Sequence, residues 1–134
     1  MSGESRHDEH APDAPPSIGP ARVVQAFRYS IDGLAGTWRT EGAFRQEVII
    51  ATVLIPLQVL IPVTLLEHVL LVGSVLMVLI VELLNSSMEA AIDRISLDRH
   101  PLSKKAKDTG SAAVLLAVVL ATIVWGAIVA PLVN

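Results

Sequence analysis

A row of acidic and amide side chains inside an otherwise apolar segment is the strongest chemical signal in this sequence. Glu82, Asn85, Glu89 and Asp93 recur at spacings of three and four residues. In a helix, that spacing places them on one face within an arc of about 80°. Acidic side chains at membrane depth are costly and by default mark a site that faces protein or water. The row therefore predicts a functional site, with a polar contact between packed helices as the structural alternative.

The members of this row differ in their expected depth. From Glu82 to Asp93 a helix rises about 16 Å at about 1.5 Å per residue, so the row connects the bilayer interior with the cytoplasmic interface. Carboxylates at the wet end are hard oxygen ligands that suit Mg²⁺, which binds through one or two carboxylates together with substrate phosphates. Glu82, at the deep end, could act as a general base toward the hydroxyl of a lipid.

A cationic loop follows the row directly. Lys104, Lys105 and Lys107 come after Pro101, and Ser103 is a plausible N-cap of the next helix. Three lysines and the free amide groups of a helix start could hold phosphates. A solvated loop is the alternative interpretation. Because cations and carboxylates are contiguous here, the pattern favours a nucleotide site.

The elements that must position these residues are membrane helices. Apolar residues make up 52% and charged residues 17% of the 134-residue chain, against about 25% charge in an average soluble domain. We expect an all-α membrane protein with three transmembrane helices preceded by an amphipathic interfacial helix. The predicted order is a disordered acidic, proline-rich tail over 1–20 and a single membrane domain over 21–134, with the surface helix at about 21–46 and spans at about 48–66, 69–92 and 109–132. The first two spans are joined by a short turn at Glu67 and His68, and a bend or break is expected near Gly42.

The positions of the cations predict the topology. All 10 Lys and Arg residues precede the first span or lie in the loop between spans two and three. By the positive-inside rule, the N-terminus and this second loop are cytoplasmic, and three spans then place the C-terminus outside the cytoplasm.

Several functional classes are excluded by what the sequence lacks. It contains no cysteine, so there is no disulfide framework, thiolate zinc site or cysteine nucleophile. A net charge of −3 provides no general attraction to nucleic acid. The P-loop, dinucleotide-binding and HExxH patterns do not occur.

Four segments together resemble the bacterial integral-membrane diacylglycerol kinases: 41–47 (EGAFRQE), 81–86 (VELLNS), 89–94 (EAAIDR) and 106–113 (AKDTGSAA). The similarity covers roughly residues 22–125, with the segments in the right order between the right spans. It implies a homotrimer of three-span subunits in the bacterial inner membrane, a composite site built by neighbouring subunits, and an ATP site unrelated to that of soluble kinases.

The resemblance also implies roles for individual residues. Glu82 looks like the general base with Asn85 as its catalytic neighbour, and Glu41 and Glu89 look like the ligands of Mg²⁺. Nucleotide contacts would come from those two acids and from Arg22, Tyr29, Asp93, His100, Lys107 and Asp108. The lipid side would be formed by Glu82, Arg22, Glu47, Ser111 and Trp125.

The predicted function is accordingly Mg²⁺-dependent transfer of the ATP γ-phosphoryl group to the hydroxyl of diacylglycerol, giving phosphatidic acid. The similar undecaprenol kinases are the runner-up, since they share the ExLN and KD cores. A small proton-coupled transporter would also use a membrane glutamate, but it has no use for a lysine-rich loop beside further carboxylates. A purely structural membrane trimer is the remaining alternative.

Overall fold

A computed structural model describes residues 19–133, which contain helices and no strand. The predicted disordered tail therefore lies almost entirely outside the described residues. The chain forms two compact units, one ending at Gly33 and the other beginning at Leu34. The single membrane domain expected over 21–134 stays a prediction.

Helix α1 runs from Pro20 to Thr40 and is shorter than the surface helix predicted to about residue 46. It ends because Glu41 takes an extended conformation (φ −105°, ψ 115°), from which α2 begins at Gly42. The break expected near Gly42 is thus confirmed. The side chain of Arg45 donates hydrogen bonds of 3.3 Å to the carbonyl oxygens of Trp38 and Arg39, and so satisfies acceptors that the end of α1 leaves free.

The turn between the first two spans lies earlier than predicted. Helix α2 covers Gly42–Leu57, a 3₁₀ turn covers Gln58–Leu60, and α3 covers Leu65–Ile95. Pro62 keeps the preceding residue extended, and Thr64 then starts α3 through a capping box with Glu67. The prediction of a turn at Glu67 and His68 is therefore wrong, because both residues belong to the first turns of α3.

Helix α4 also begins earlier than its predicted apolar part. It covers Pro101–Val129 and continues as a 3₁₀ turn over Ala130–Leu132. The N-cap is His100, whose Nδ1 accepts a hydrogen bond of 3.2 Å from the backbone N–H of Leu102. Ser103, predicted as the cap, lies inside the helix. Pro101 at the first helical position suits this start, since its fixed φ is already helical.

Helix α3 is central in the second unit, where it packs against both α2 and α4. Within residues 19–133, three helical segments are long and apolar enough to cross a membrane, namely Gly42–Leu60, Leu65–Ile95 and Pro101–Leu132. Few side chains are buried, and most large apolar ones point outward. This distribution is expected of helices whose solvent is lipid, because outward-facing apolar side chains cost nothing there. The all-α class with three membrane-spanning helices is confirmed.

Candidate active site

The predicted row lies on α3 as one continuous helix face. Glu82 is buried, with 5% of its surface exposed. One turn along, the Asn85 amide nitrogen donates a hydrogen bond of 3.1 Å to Oε1 of Glu89. Asn85 and Glu89 are half-buried, and Asp93 at the end of the helix is exposed. The row thus passes from a buried carboxylate to a solvent-accessible one.

Acidic side chains from three separate segments lie within electrostatic reach of Glu82. It interacts electrostatically with Glu41 in the break before α2, with Glu47 on α2 and with Glu89 on α3. The fold therefore brings together the predicted base, both predicted metal ligands and one predicted lipid-side residue. Carboxylates within electrostatic reach of one another favour the binding of a cation, and Mg²⁺ is a hard cation that such ligands suit.

The cationic loop meets the other end of the row through α4. Nζ of Lys107 donates a hydrogen bond of 2.7 Å to Oδ1 of Asp93 and also interacts electrostatically with Glu89. Within α4, Lys104 forms an ion pair with Asp108 one turn away. A cation from α4 therefore lies beside the solvent-exposed end of the acidic row on α3.

These ion pairs border a pocket of about 620 Å³, lined mainly by charged and polar residues, where α3, the following loop and the start of α4 meet. It brings together four predicted nucleotide contacts: Asp93, His100, Lys107 and Asp108. Asp98, Arg99 and Lys104 also line it. We call it the loop pocket. Its size and its mixture of cations and polar groups suit a ligand with several phosphate oxygens.

A second concavity, of about 460 Å³, is almost wholly apolar. It lies over α3 between α2 and α4, and we call it the apolar groove. Its lining includes the predicted lipid-side residues Glu47 and Trp125 among aliphatic side chains such as Ile50, Leu54 and Val78. The Trp125 indole N–H donates to the carbonyl oxygen of Leu71 at 3.2 Å, which fixes the ring. In contrast, Oε2 of Glu47 is buried and has no hydrogen-bond partner within residues 19–133.

Three predicted site residues are not among the residues that line the loop pocket or the apolar groove. Ser111 is exposed on α4 and is not part of the lining of either concavity. Arg22 and Tyr29 are exposed on α1 in the first unit, where the Tyr29 hydroxyl accepts a hydrogen bond of 2.7 Å from Gln25. Their assignments remain predictions from the resemblance.

Two carboxylates near Glu82 have the chemistry of Mg²⁺ ligands. Within the described part of the chain, no three or more acidic or histidine side chains converge into a ready-made metal cluster. Glu41 and Glu89 provide two carboxylates within electrostatic reach of Glu82. Mg²⁺ characteristically takes one or two protein carboxylates and completes its shell with phosphate oxygens and water. The donor set therefore fits this ion.

Sequence reasoning missed two features of the site. The first is the hydrogen bond that ties Asn85 to Glu89, although their i, i+4 spacing is the signal for such a pair. The second is Gly110, which is buried on α4 against Asn85 and Met88. No sequence pattern distinguishes a glycine needed for close helix contact from one that is merely tolerated.

The fold and site together define a class of protein: a small integral membrane protein in which one helix, α3, carries a buried carboxylate and lines both the apolar groove and the loop pocket. Residues 28–129 match the family model of prokaryotic diacylglycerol kinase. The chain is 48% identical to the diacylglycerol kinase of Pseudomonas aeruginosa over 110 residues. The aligned region covers 82% of this chain and 89% of that protein. The chain is 45% identical over 109 residues to that of Escherichia coli (81% and 89%) and 42% identical over 112 residues to that of Helicobacter pylori (84% and 88%).

This chain belongs to the prokaryotic diacylglycerol kinase family. The resemblance inferred from the four motif segments is thereby confirmed, and it extends over most of the chain.

Proposed function

We propose that this protein transfers the γ-phosphoryl group of MgATP directly to the primary hydroxyl of diacylglycerol, giving phosphatidic acid and ADP. The observation that carries the proposal is the position of Glu82. It is buried, it is coupled to Glu47 of the apolar groove, and it shares a helix face with Glu89, which interacts with Lys107 of the loop pocket. A base in this position has lipid on one side and phosphates on the other.

The reaction balances without a covalent enzyme intermediate. The lipid hydroxyl oxygen attacks the γ-phosphorus, the bond from that phosphorus to the bridging oxygen of ADP breaks, and the hydroxyl proton passes to the Glu82 carboxylate. Asn85 lies one turn from Glu82 and, through its hydrogen bond to Glu89, keeps the neighbouring carboxylate in a fixed orientation. Positioning and electrostatics are the main contributions a protein makes to phosphoryl transfer.

Magnesium would be held by Glu41 and Glu89. Negative charge on the transferred phosphoryl group is neutralised by the bound ion. Lys107, paired with Asp93 at 2.7 Å in this structure, can exchange that carboxylate for a phosphate oxygen, and Asp108 and His100 complete the loop pocket. Arg22 and Tyr29 are assigned to the nucleotide from the resemblance alone.

The lipid is assigned to the apolar groove. Acyl chains fit its aliphatic lining, and the Glu47 carboxylate and the Trp125 ring provide the polar edge that a glycerol backbone needs. Ser111 and Arg22 are assigned to the lipid side by resemblance. We further propose that the protein works as a homotrimer in the bacterial inner membrane, with the N-terminus and the loop before α4 in the cytoplasm and the C-terminus in the periplasm.

The decisive experiment is an assay of the purified, membrane-reconstituted protein with ATP, Mg²⁺ and either diacylglycerol or undecaprenol. We expect phosphatidic acid as product and strong dependence on Mg²⁺. Preferential phosphorylation of undecaprenol would instead identify the protein as an undecaprenol kinase. Loss of both activities, with proton-coupled uptake in vesicles, would favour a transporter instead.

The topology has a separate test. Reporter tags at the C-terminus and in the loop at Lys104 should report periplasm and cytoplasm respectively. The reverse result would place the loop pocket on the wrong side of the membrane for cytoplasmic ATP.

A further inference from the structure

Gly110 is the point of closest approach between α4 and the functional face of α3. It is buried, and a Cβ atom built on it would lie within 3.0 Å of both Oδ1 of Asn85 and Cε of Met88, and 3.3 Å from Cγ of Asn85. Real Cβ atoms do not approach other atoms so closely. The glycines at 33, 36, 73 and 126 have nothing within 4 Å of the same position. A side chain is therefore excluded at Gly110 by contact and tolerated at those others.

The contact falls on a residue of the proposed active site. Asn85 uses its amide nitrogen to hold Oε1 of Glu89 at 3.1 Å. Its Oδ1 is buried and makes no hydrogen bond to any described group, and it faces the α-hydrogen that takes the place of a Cβ on Gly110. The amide is thus fixed at one end by Glu89 and at the other by the surface of α4.

We infer that Gly110 is a positioning residue for the transfer reaction: its missing side chain leaves the space in which the Asn85 amide turns its nitrogen toward Glu89. This inference rests on the proposed function, in which Glu89 is a ligand of the MgATP complex. A methyl group at position 110 would displace the amide, because rotating the side chain of Asn85 costs less energy than moving either helix backbone. Glu89 would then lose the hydrogen bond that orients it.

Loss of the partner that orients a metal-binding carboxylate typically costs about 10- to 100-fold in metal affinity or activity. Gly110→Ala should therefore lower kcat/KM for MgATP by about 10- to 100-fold and raise, by a similar factor, the Mg²⁺ concentration needed for nucleotide binding. The KM for diacylglycerol should change less than about twofold, because the groove does not include Gly110.

The experiment uses the full-length protein in lipid, with nucleotide binding titrated against Mg²⁺ alongside steady-state kinetics. Gly73→Ala is the matched control, since it adds the same methyl group to a membrane helix at a position with open space. Wild-type kinetics and Mg²⁺ dependence in Gly110→Ala would overturn the inference.

A double-mutant cycle separates positioning from general packing. In an Asn85→Ala background there is no amide to displace, so adding Gly110→Ala should change Mg²⁺-dependent nucleotide binding less than about twofold. Adding Met88→Ala to Gly110→Ala removes the other contact and should leave the defect in place. Recovery of wild-type Mg²⁺ dependence in that variant would assign the effect to Met88 packing and overturn the role of Asn85.

If Gly110→Ala does not fold, Met88→Ala/Gly110→Ala replaces it as the test variant, with the same expected loss. The binding titration also separates this inference from the proposed function. A wild-type protein that fails to phosphorylate diacylglycerol would refute the function. Mg²⁺-dependent binding of nucleotide that is insensitive to the methyl at 110 would refute the inference alone.

Discussion

The loop pocket and the apolar groove use charge in opposite ways. In the loop pocket, two lysines and two aspartates form ion pairs at the surface, Lys107 with Asp93 and Lys104 with Asp108, and the side chains are between 37% and 77% exposed. In the groove, the Glu47 carboxylate lies among aliphatic side chains and one of its oxygens is buried without a partner. The pocket can exchange its ion pairs for a ligand's charges at small cost, whereas a charge at the groove acts strongly because water does not screen it.

Helix α3 connects the two regions, and the burial of its side chains decreases from one region to the other. Over the three turns from Glu82 to Asp93 the row changes from buried to exposed. A group transferred between water and lipid needs such a gradient, since its donor is polar and its acceptor is apolar. We therefore expect the effects of substitution to fall from the buried end of the row toward the exposed end.

The largest effect is expected at the buried end. Glu82→Gln keeps the shape of the side chain but removes its basicity, so kcat should fall by roughly 10² to 10⁴, the usual contribution of a general base. Nucleotide binding should be nearly unchanged. Both are measured on the same folded preparation, with Leu83→Ala as a neighbouring control. Retained turnover would eliminate Glu82 as the base, and loss of nucleotide binding together with turnover would make it part of the metal site.

A smaller and different effect is expected at Glu89, about two helical turns further along the row. Glu89→Gln replaces a hard anionic ligand by a neutral amide, which should raise the apparent KM for MgATP by about 10- to 100-fold or lower the rate correspondingly. The defect should lessen at high Mg²⁺ concentration, whereas the defect of Glu82→Gln should not. Unchanged dependence on both ATP and Mg²⁺ would remove Glu89 from the site.

At the exposed end the expected effect is small. Asp93→Asn breaks the ion pair with Lys107, and exposed pairs of this kind typically correspond to about a two- to fivefold change in an equilibrium. The KM for ATP should shift by no more than this factor, and the shift should shrink in high salt because surface charges are screened. A loss above about tenfold that persists in high salt would mean that Asp93 contributes to nucleotide binding by more than its surface ion pair with Lys107.

The acidic row could be predicted from the sequence, but the residues that other helices place around it could not. Glu82, Asn85, Glu89 and Asp93 follow helical periodicity, and charges within an apolar run are conspicuous. The electrostatic interaction of Glu41 and Glu47 with Glu82 depends on how α2 packs against α3, which no local pattern encodes. The need for glycine at 110 depends likewise on the crossing of α3 and α4. The turn between α2 and α3 was misplaced because Glu67 reads as a polar loop residue, although its carboxylate is used by a helix cap.

Removing that cap should have the smallest effect on activity. It therefore tests whether a change at the beginning of α3 is felt by the acidic row near its other end. The backbone N–H of Thr64 donates to Oε2 of Glu67 at 2.7 Å, and the backbone N–H of Glu67 donates to the Thr64 hydroxyl at 3.4 Å. Thr64→Ala should cost about 1 kcal/mol of stability, as N-cap replacements usually do. Position 64 lies about 27 Å along the helix from Glu82 at about 1.5 Å per residue. The kcat of the folded protein should therefore be unchanged, while the midpoint of thermal inactivation falls.

Thr64→Ser is the matched control for that measurement, because it keeps the hydroxyl and should keep most of the stability. If Thr64→Ala lowered kcat as much as Glu89→Gln does, the beginning of α3 would be coupled to the row at its other end. The helix would then transmit changes along its length instead of holding two independent regions, and the contrast between loop pocket and groove could no longer be explained by local burial and charge alone.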